Sequence, residues 1–409
     1  MESFSNYITE QKNTHMTHIE DKVLYGGVDG TRQAILALRS LRDMLGGVKE
    51  GSASVKWDGA PAIFAGIDPR DGKFFVAKKG IFNKSPKVYK TNADIDSDTS
   101  GDLSEKLKVA LQYLPSLGIK GVIQGDFLYG PGELKKQKIK GANYITFHPN
   151  TIVYAVPAES QNAKELIKSK IGIVWHTTYT GNSFESMKAS YGVNVNKLRK
   201  NPNVWSQDAM LRDMTRYTMS KKETDTVNEY LSQAGVLFNQ ISGNVLRDLE
   251  KNQSLAQTIE TFNNTYVRRG MVINDTKKHV NNLIRYITSK YKKEIDSRKT
   301  EKGKRVQQTK LNDVLQFFSI KNKNNLKKIF DLQKLIVVVK LKLINILNKF
   351  IKLDTFVKTP RGFKTTGQEG YVAIDKLGGD AVKIVDRLEF SYNNFSPNIL
   401  KGWDKPTRT

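Results

Sequence analysis

Lys56-Trp57-Asp58-Gly59 places a lysine, an acid and a glycine at the end of a short run of β-compatible residues, Ala53–Lys56. A K-x-D-G spacing arises by chance about 0.2 times in a chain of this composition, so alone it says little. The order of the motifs downstream of it gives it weight. Lys78-Lys79-Gly80 comes 22 residues later, then Gly125-Asp126-Phe127, then Ile152-Val153-Tyr154-Ala155. Near the other end stand Glu369-Gly370-Tyr371-Val372 and Val382-Lys383-Ile384-Val385. Amines brought close together become less basic, and so better nucleophiles, and they hold phosphate oxygens. Carboxylates hold a divalent cation. These are the residue types of phosphate chemistry, provided the fold brings the two ends of the chain together.

Singly, each residue has a plainer reading. A lysine at a strand end is usually solvated, and Gly125-Asp126 and Glu369-Gly370 are ordinary turn pairs. Tyr154 reads equally well as a core aromatic or as a platform for a base. His15, His18, Glu20 and Asp21 invite a metal site, but no third histidine or cysteine lies near them. A helix start or a structural hydrogen bond is the reading adopted there, and Phe147-His148-Pro149-Asn150 reads as a turn entering a strand.

The elements that would position these residues fall into four blocks. Ile35, Leu38, Leu41 and Leu45 recur at helical spacing over Thr31–Leu45, and Gly46-Gly47 stops that helix. From 52 to 180 the pattern turns to strands: Ala53–Lys56, Ala62–Ile67, Phe74–Ala77, Gly121–Tyr129, Thr151–Val156 and Ile171–Thr177, with one helix at Ser104–Leu114. From 196 to about 352 it predicts helices at Lys222–Phe238, Gly243–Thr261, Thr276–Arg298 and from Leu311 into Phe350. Strands return at Gly370–Ile374 and Ala381–Arg387. Two or three strands are too few for an independent sheet, so the last residues are expected to complete the first β-rich block.

In this order the motifs resemble the covalent nucleotidyltransferase superfamily of ATP-dependent DNA and RNA ligases and mRNA capping enzymes. Lys56 matches the family's nucleophile, and Lys78 or Lys79 the basic position of the following motif. Gly125-Asp126 is similar to its G-E motif, Glu369-Gly370-Tyr371-Val372 to its E-G-x-V motif, and Lys383 stands at its final lysine motif. The resemblance covers about 50–180 and 365–390. The Lys-Trp-Asp-Gly-Ala-Pro-Ala stretch is also similar to phage proteins, which suggests a phage-encoded member. Three positions depart from the pattern: Ala60-Pro61 replaces an arginine, Asp126 is shorter than glutamate, and the final motif keeps one lysine.

The resemblance implies an α+β fold, an ATP-grasp-like nucleotidyltransferase domain of antiparallel sheets with flanking helices. Residues 1–195 and 358–409 would form its two parts, and 196–357 a large basic all-helical insertion. Only 22 residues follow Arg387, too few for a C-terminal OB-fold, which favours the RNA-ligase-like branch. Catalysis would fall to Lys56 and Lys383. ATP would be bound by Lys56, Asp58, Gly59, Lys78, Lys79, Asp126, Tyr154 (Phe147 as second choice), Glu369 and Lys383. Asp126 and Glu369 would hold Mg²⁺ or Mn²⁺. Lys56 would form lysyl-AMP, pass AMP to a 5′-phosphate, and a 3′-hydroxyl would displace it. Two other readings stay open: a non-catalytic nucleic-acid-binding or virion-associated protein of the same fold, and transfer of a nucleotide to a protein or small molecule.

Charge points to the partner. The 409 residues carry 66 Lys+Arg against 41 Asp+Glu, a net +25. Residues 261–360 hold 24 of the bases and 7 of the acids, so most of the excess sits there. A nucleic acid, RNA or nicked duplex, is the expected partner of that region. Zero cysteines excludes disulfides, thiolate zinc sites and cysteine nucleophiles, and fits a reducing compartment. Met1–Gln11 lacks the build of a signal peptide, and Leu335–Phe350, the most apolar stretch, is broken by Lys340 and Lys342. A cytoplasmic protein, in the host cytoplasm if phage-encoded, with no membrane span, is the expectation.

Overall fold

The computed structural model describes residues 18–48, 51–211, 219–351, 353–375 and 381–404. The chain begins with helices α1 (Lys22–Tyr25) and α2 (Gly27–Leu45), followed by strands β1 (Gly51–Lys56), β2 (Ala62–Ile67) and β3 (Phe74–Ala77). Helices α3 (Asn92–Asp98) and α4 (Gly101–Tyr113) lead to β4 (Val122–Tyr129), β5 (Lys135–Ile139), β6 (Ala142–Phe147) and β7 (Ile152–Pro157). Then come α5 (Gln161–Lys168), β8 (Ile171–Thr180), β9 (Lys188–Tyr191), β10 (Val204–Asp208) and β11 (Met210–Leu211). A run of helices follows: α6 (Lys221–Asn239), α7 (Gly243–Lys251), α8 (Gln253–Val267), α9 (Thr276–Asp296), α10 (Glu301–Gln316) and α11 (Ile320–Leu347). The last elements are β12 (Asp354–Thr359), β13 (Gly362–Thr365), β14 (Gly370–Asp375), β15 (Ala381–Ile384) and α12 (Arg387–Phe395).

The fold is mixed α/β with antiparallel sheets. Among the described residues the strands form three sheets, ordered β11-β1-β14-β15, β10-β8-β4-β2-β3 with β9 beside β8, and β13-β12-β7-β6-β5. Every pairing is antiparallel except β10 with β8. Strands from the end of the chain complete two of them. Gly370–Asp375 pairs with β1 along its whole length, with Lys56 opposite Gly370, and β12 pairs with β7.

At three places an expected helix or strand is cut by a residue whose side chain caps a new helix. The helix expected over Gly243–Thr261 divides at Asn252, whose side chain accepts a hydrogen bond from Leu255 N at 3.0 Å. The one expected from Leu311 onward divides at Ser319, which caps α11 through Asn322 N. The strand expected over Ala381–Arg387 stops at Ile384, because Asp386 accepts from the amides of Leu388 and Glu389 and starts α12. Apolar periodicity alone passes through such caps unnoticed.

One continuous core joins both ends of the chain. Ala34, Ile35, Leu38, Leu41 and Leu45 of α2 pack with Val227 and Leu231 of α6, with Ile336, Val339 and Leu343 of α11, and with Ala53, Val55 and Tyr371 of the first sheet. The N-terminal helices therefore lie in the helical layer with α6–α11. The segment 196–357 contributes β10, β11 and part of β12 as well as helices. A second core packs α4 against the middle sheet through Leu107, Ala110, Ile63 and Trp175. Arg285, Lys292, Lys293, Arg298, Lys299 and Arg305 are exposed on α9, α10 and the turn between them. No helix of the described residues is long and apolar enough to cross a membrane.

Candidate functional site

Lys56 ends β1, Glu369 immediately precedes β14, and Lys383 lies on β15 opposite Val372. Three short antiparallel strands thus gather residues far apart in the chain. The Lys56 ammonium is ion-paired to a Glu369 carboxylate oxygen. Lys56 keeps 37% of its side chain exposed and Glu369 only 9%. Burial pushes the Glu369 carboxyl up to about 7; Lys56 opposes that shift, and the charges of Asp58 and Asp126 reinforce it. Burial likewise holds Lys383 below the ordinary ammonium value, and the positive charge of Lys56 adds to the effect. Gly370 permits this arrangement: a Cβ there would lie 2.8 Å from Ile384 O, so the β14–β15 approach requires glycine.

Asp126 reaches the cluster from the middle sheet, on β4 opposite Ala62. The loop after β1 runs against it closely. A Cβ on Gly59 would sit 2.6 Å from the Asp126 Cβ and 2.9 Å from Phe127 O, so this position also demands glycine, and Ala60 N donates to Phe127 O at 2.9 Å.

Other expected ligands have different roles. Asp58 is buried and its carboxylate is fully engaged, accepting from Thr151 N at 2.7 Å, Ile152 N at 2.8 Å and Asn150 Nδ2 at 2.7 Å. It braces the loop to the start of β7 and has no free oxygen to offer a nucleotide. Tyr154 is a core aromatic: Trp57 stacks on it at 4.8 Å, Phe147 at 5.3 Å, and its hydroxyl accepts from Asp58 N at 2.7 Å. Both rings proposed as base platforms, Tyr154 and Phe147, are therefore sealed within the core. Lys78 is ion-paired at 3.1 Å to Asp98, which also takes Lys87 and the Tyr89 hydroxyl, while Lys79 is exposed. These contacts join Lys78 to the end of α3 rather than to Lys56.

Two residues at the site escaped the sequence pattern. Lys106 of α4 is largely buried, its ammonium 3.4 Å from Ala60 O and 3.0 Å from Asp102. In sequence it is one half of an ordinary i,i+4 helix pair. His176 places Nε2 3.7 Å from Asp126 Oδ2, while its Nδ1 lies 2.7 Å from the Thr177 hydroxyl. It occupies a register shift between β4 and β8 that no periodicity reveals.

Of the N-terminal residues that invited a metal site, His15 lies outside the described residues. Glu20 and Asp21 are held in structural ion pairs, and His18 is buried beside them. Lys340 donates to both Glu20 oxygens at 2.8 Å, and Arg387 binds Asp21 at 2.8 Å and Glu260 at 3.3 Å. Burial pushes the Glu20 carboxyl up, but Lys340, His18 and Arg387 together outweigh it and hold the group near 2; burial lowers His18 to about 3. Among the described residues no group of three or more histidines and acids could hold a metal ion by itself. Asp126 and Glu369 supply two carboxylates, which suits a Mg²⁺ that takes its other ligands from phosphate and water.

No curated protein and no solved structure matches the chain. A family model does, over residues 13–399, and by that match the chain belongs to DUF6267, a family of unknown function.

Proposed function

We propose that this protein is a covalent nucleotidyltransferase and, within that class, an ATP-dependent polynucleotide ligase that acts on RNA in preference to DNA. One observation carries the reading. The motif residues Lys56, Glu369 and Lys383, scattered through more than 300 positions, meet on adjacent strands, and Asp126 faces them across the Gly59 loop.

In the reaction, the neutral Lys56 amine attacks the α-phosphorus of ATP. An N–P bond forms, the α–β P–O bond breaks and pyrophosphate leaves. Glu369, with its carboxyl near 7, is placed to take the proton that Lys56 must lose. Lys383, less basic than a solvated lysine, neutralises charge on the phosphate oxygens. A 5′-phosphate oxygen then displaces Lys56 from the α-phosphorus. Finally a 3′-hydroxyl attacks that 5′-phosphate and AMP leaves. Asp126 would hold Mg²⁺ together with phosphate and water, Glu369 joining it only once it has passed on the proton taken from Lys56, and the ion would supply further charge neutralisation at the phosphates. The basic surface of α9 and α10 would hold the polynucleotide.

A second reading, a non-catalytic nucleic-acid-binding or virion-associated protein, draws on the engagement of Lys78 with Asp98. The same experiment decides between them. Incubation with Mg²⁺ and α-labelled ATP, in parallel with GTP, should leave label on the denatured wild-type chain and none on Lys56→Ala. Absence of label from both nucleotides on the wild-type chain would remove the enzymatic reading.

A further inference from the structure

Beside the Lys56 cluster, α12 and the edge of the third sheet enclose an open groove of about 300 Å³. Lys364, Thr365, Thr366, Tyr392 and Asn393 line it, with Gly270 from the turn after α8. It shares Asp386, Glu389 and Asn393 with a small cleft lined also by Asp58 and by Glu369, the ion-pair partner of Lys56, so the groove adjoins the proposed site.

Tyr392 lines this groove and is 39% exposed; Phe395, about one turn further along the same helix and outside the groove's lining, is 64% exposed. Each carries a cation from another element. Lys364 Nζ lies 5.3 Å from the Tyr392 ring centre, and Arg268 Cζ 5.6 Å from that of Phe395. The acids of the groove wall are directed inward: Asp386 caps α12, and Glu389 accepts from the Thr366 hydroxyl at 2.8 Å and Gly367 N at 3.2 Å. What the groove presents outward is therefore aromatic faces and positive charge.

We infer that this groove binds an unpaired polynucleotide strand, with bases stacked on Tyr392 and Phe395 and phosphates held by Lys364 and Arg268. Stacking tolerates any base, because every base has a π-face, and it requires the base to be unpaired. A space of this size holds bases and not a duplex. The plainer account, in which the two cation–ring pairs only support α12, predicts no ligand effect. The inference rests on the ligase reading only for the fate of the bound strand, so it is tested without nucleotide.

The probes are a short oligoribonucleotide, a DNA strand of the same sequence and the annealed duplex, read by fluorescence anisotropy. Both single strands should bind, and duplex binding, which the basic surface of α9 and α10 can supply, should not depend on Tyr392 or Phe395. Tyr392→Leu and Phe395→Leu should each weaken single-strand binding about tenfold, with thermal unfolding confirming that each variant folds. Tyr392→Trp should retain affinity. Lys364→Gln should reduce the salt dependence of log affinity by about 0.7 of a unit. Leucine variants that bind single strands like wild type, leucine variants that lose duplex and single-strand binding equally, or no binding of either single strand would overturn the inference. Labelling of Lys56 is scored separately. A chain that labels but ignores these substitutions loses the groove and keeps the enzyme; one that binds strands but never labels does the reverse.

Discussion

Two charged clusters flank Lys383, and they differ in how far their cations are open to solvent. In the first, Glu20, Asp21, Lys340 and Arg387 are 1–13% exposed, and each charge faces an opposite one. In the second, Glu369 is buried beside a half-exposed Lys56 with the charges of Asp58 and Asp126 close by, and its carboxyl rises to about 7. Lys383 senses both clusters. Both clusters also raise one acid: burial, with the charges of Glu20 and Glu260, pushes Asp21 up to about 7 against Arg387. What separates them is exposure: the closed first cluster braces the helical layer against the first sheet, and the second leaves Lys56 open to solvent and to a ligand.

The largest difference should appear on removing one lysine from each cluster. Lys340→Ala strands the Glu20 carboxylate without its partner and should cost about 4 kcal/mol in urea unfolding. Lys56→Ala removes a partly solvated cation and should cost at most about 1 kcal/mol. The double variant Glu20→Gln/Lys340→Met should recover most of the loss, since it removes both charges. Equal costs for the two single variants would erase the distinction between brace and site.

The next effect is on pH dependence. The Glu369 carboxyl is raised in the folded chain from its ordinary 4.5 to about 7. Its contribution to stability is therefore complete below about pH 4.5 and lost as pH rises through about 7, a change of up to about 3 kcal/mol. Asp21, pushed up to about 7 by burial, contributes with the same sign. Wild type should therefore lose stability between pH 5 and pH 8 in denaturant titrations at fixed temperature, and Glu369→Gln should remove its part of that decline and leave the Asp21 part. The Glu20 contribution has the opposite sign and a lower window, lost only as pH falls from about 4.5 toward 2. An unchanged slope in Glu369→Gln would mean that the proton sits elsewhere.

These contrasts bear on how much the sequence discloses. Strands β2 and β3 fall where short unbroken apolar runs predict them, because the middle sheet is covered on both faces, with Ile63, Ala65 and Val76 in one core and Phe64, Phe75 and Ala77 in another. The lysine-rich β5 and the short β9 carry no such pattern and owe their pairing to β6 and β8. At the site, the juxtaposition of Lys56, Glu369 and Lys383 follows from the order of motifs along the chain. The roles of Asp58 and Tyr154 do not, because the sequence cannot tell a carboxylate aimed at a ligand from one aimed at three donors of its own chain. Lys106 and His176 were hidden for a related reason: a helix surface and a strand irregularity bring them to the Gly59 loop and Asp126, and neither leaves a spacing to read.

The smallest effect tests the reassignment of Tyr154. Its hydroxyl accepts the Asp58 amide, and its two faces are covered by Trp57 and Phe147. Tyr154→Phe keeps the stack and leaves one buried amide without a partner, a loss of about 1 to 2 kcal/mol. Because the ring contacts no nucleotide on this account, the ATP concentration that half-saturates Lys56 labelling should not move. A base platform predicts a different pair of results: Tyr154→Phe as stable as wild type, and Tyr154→Leu raising the half-saturating ATP concentration about tenfold while the chain stays folded. In a core aromatic, Tyr154→Leu instead opens a void between Trp57 and Phe147, and the loss appears in stability before it appears in ATP dependence.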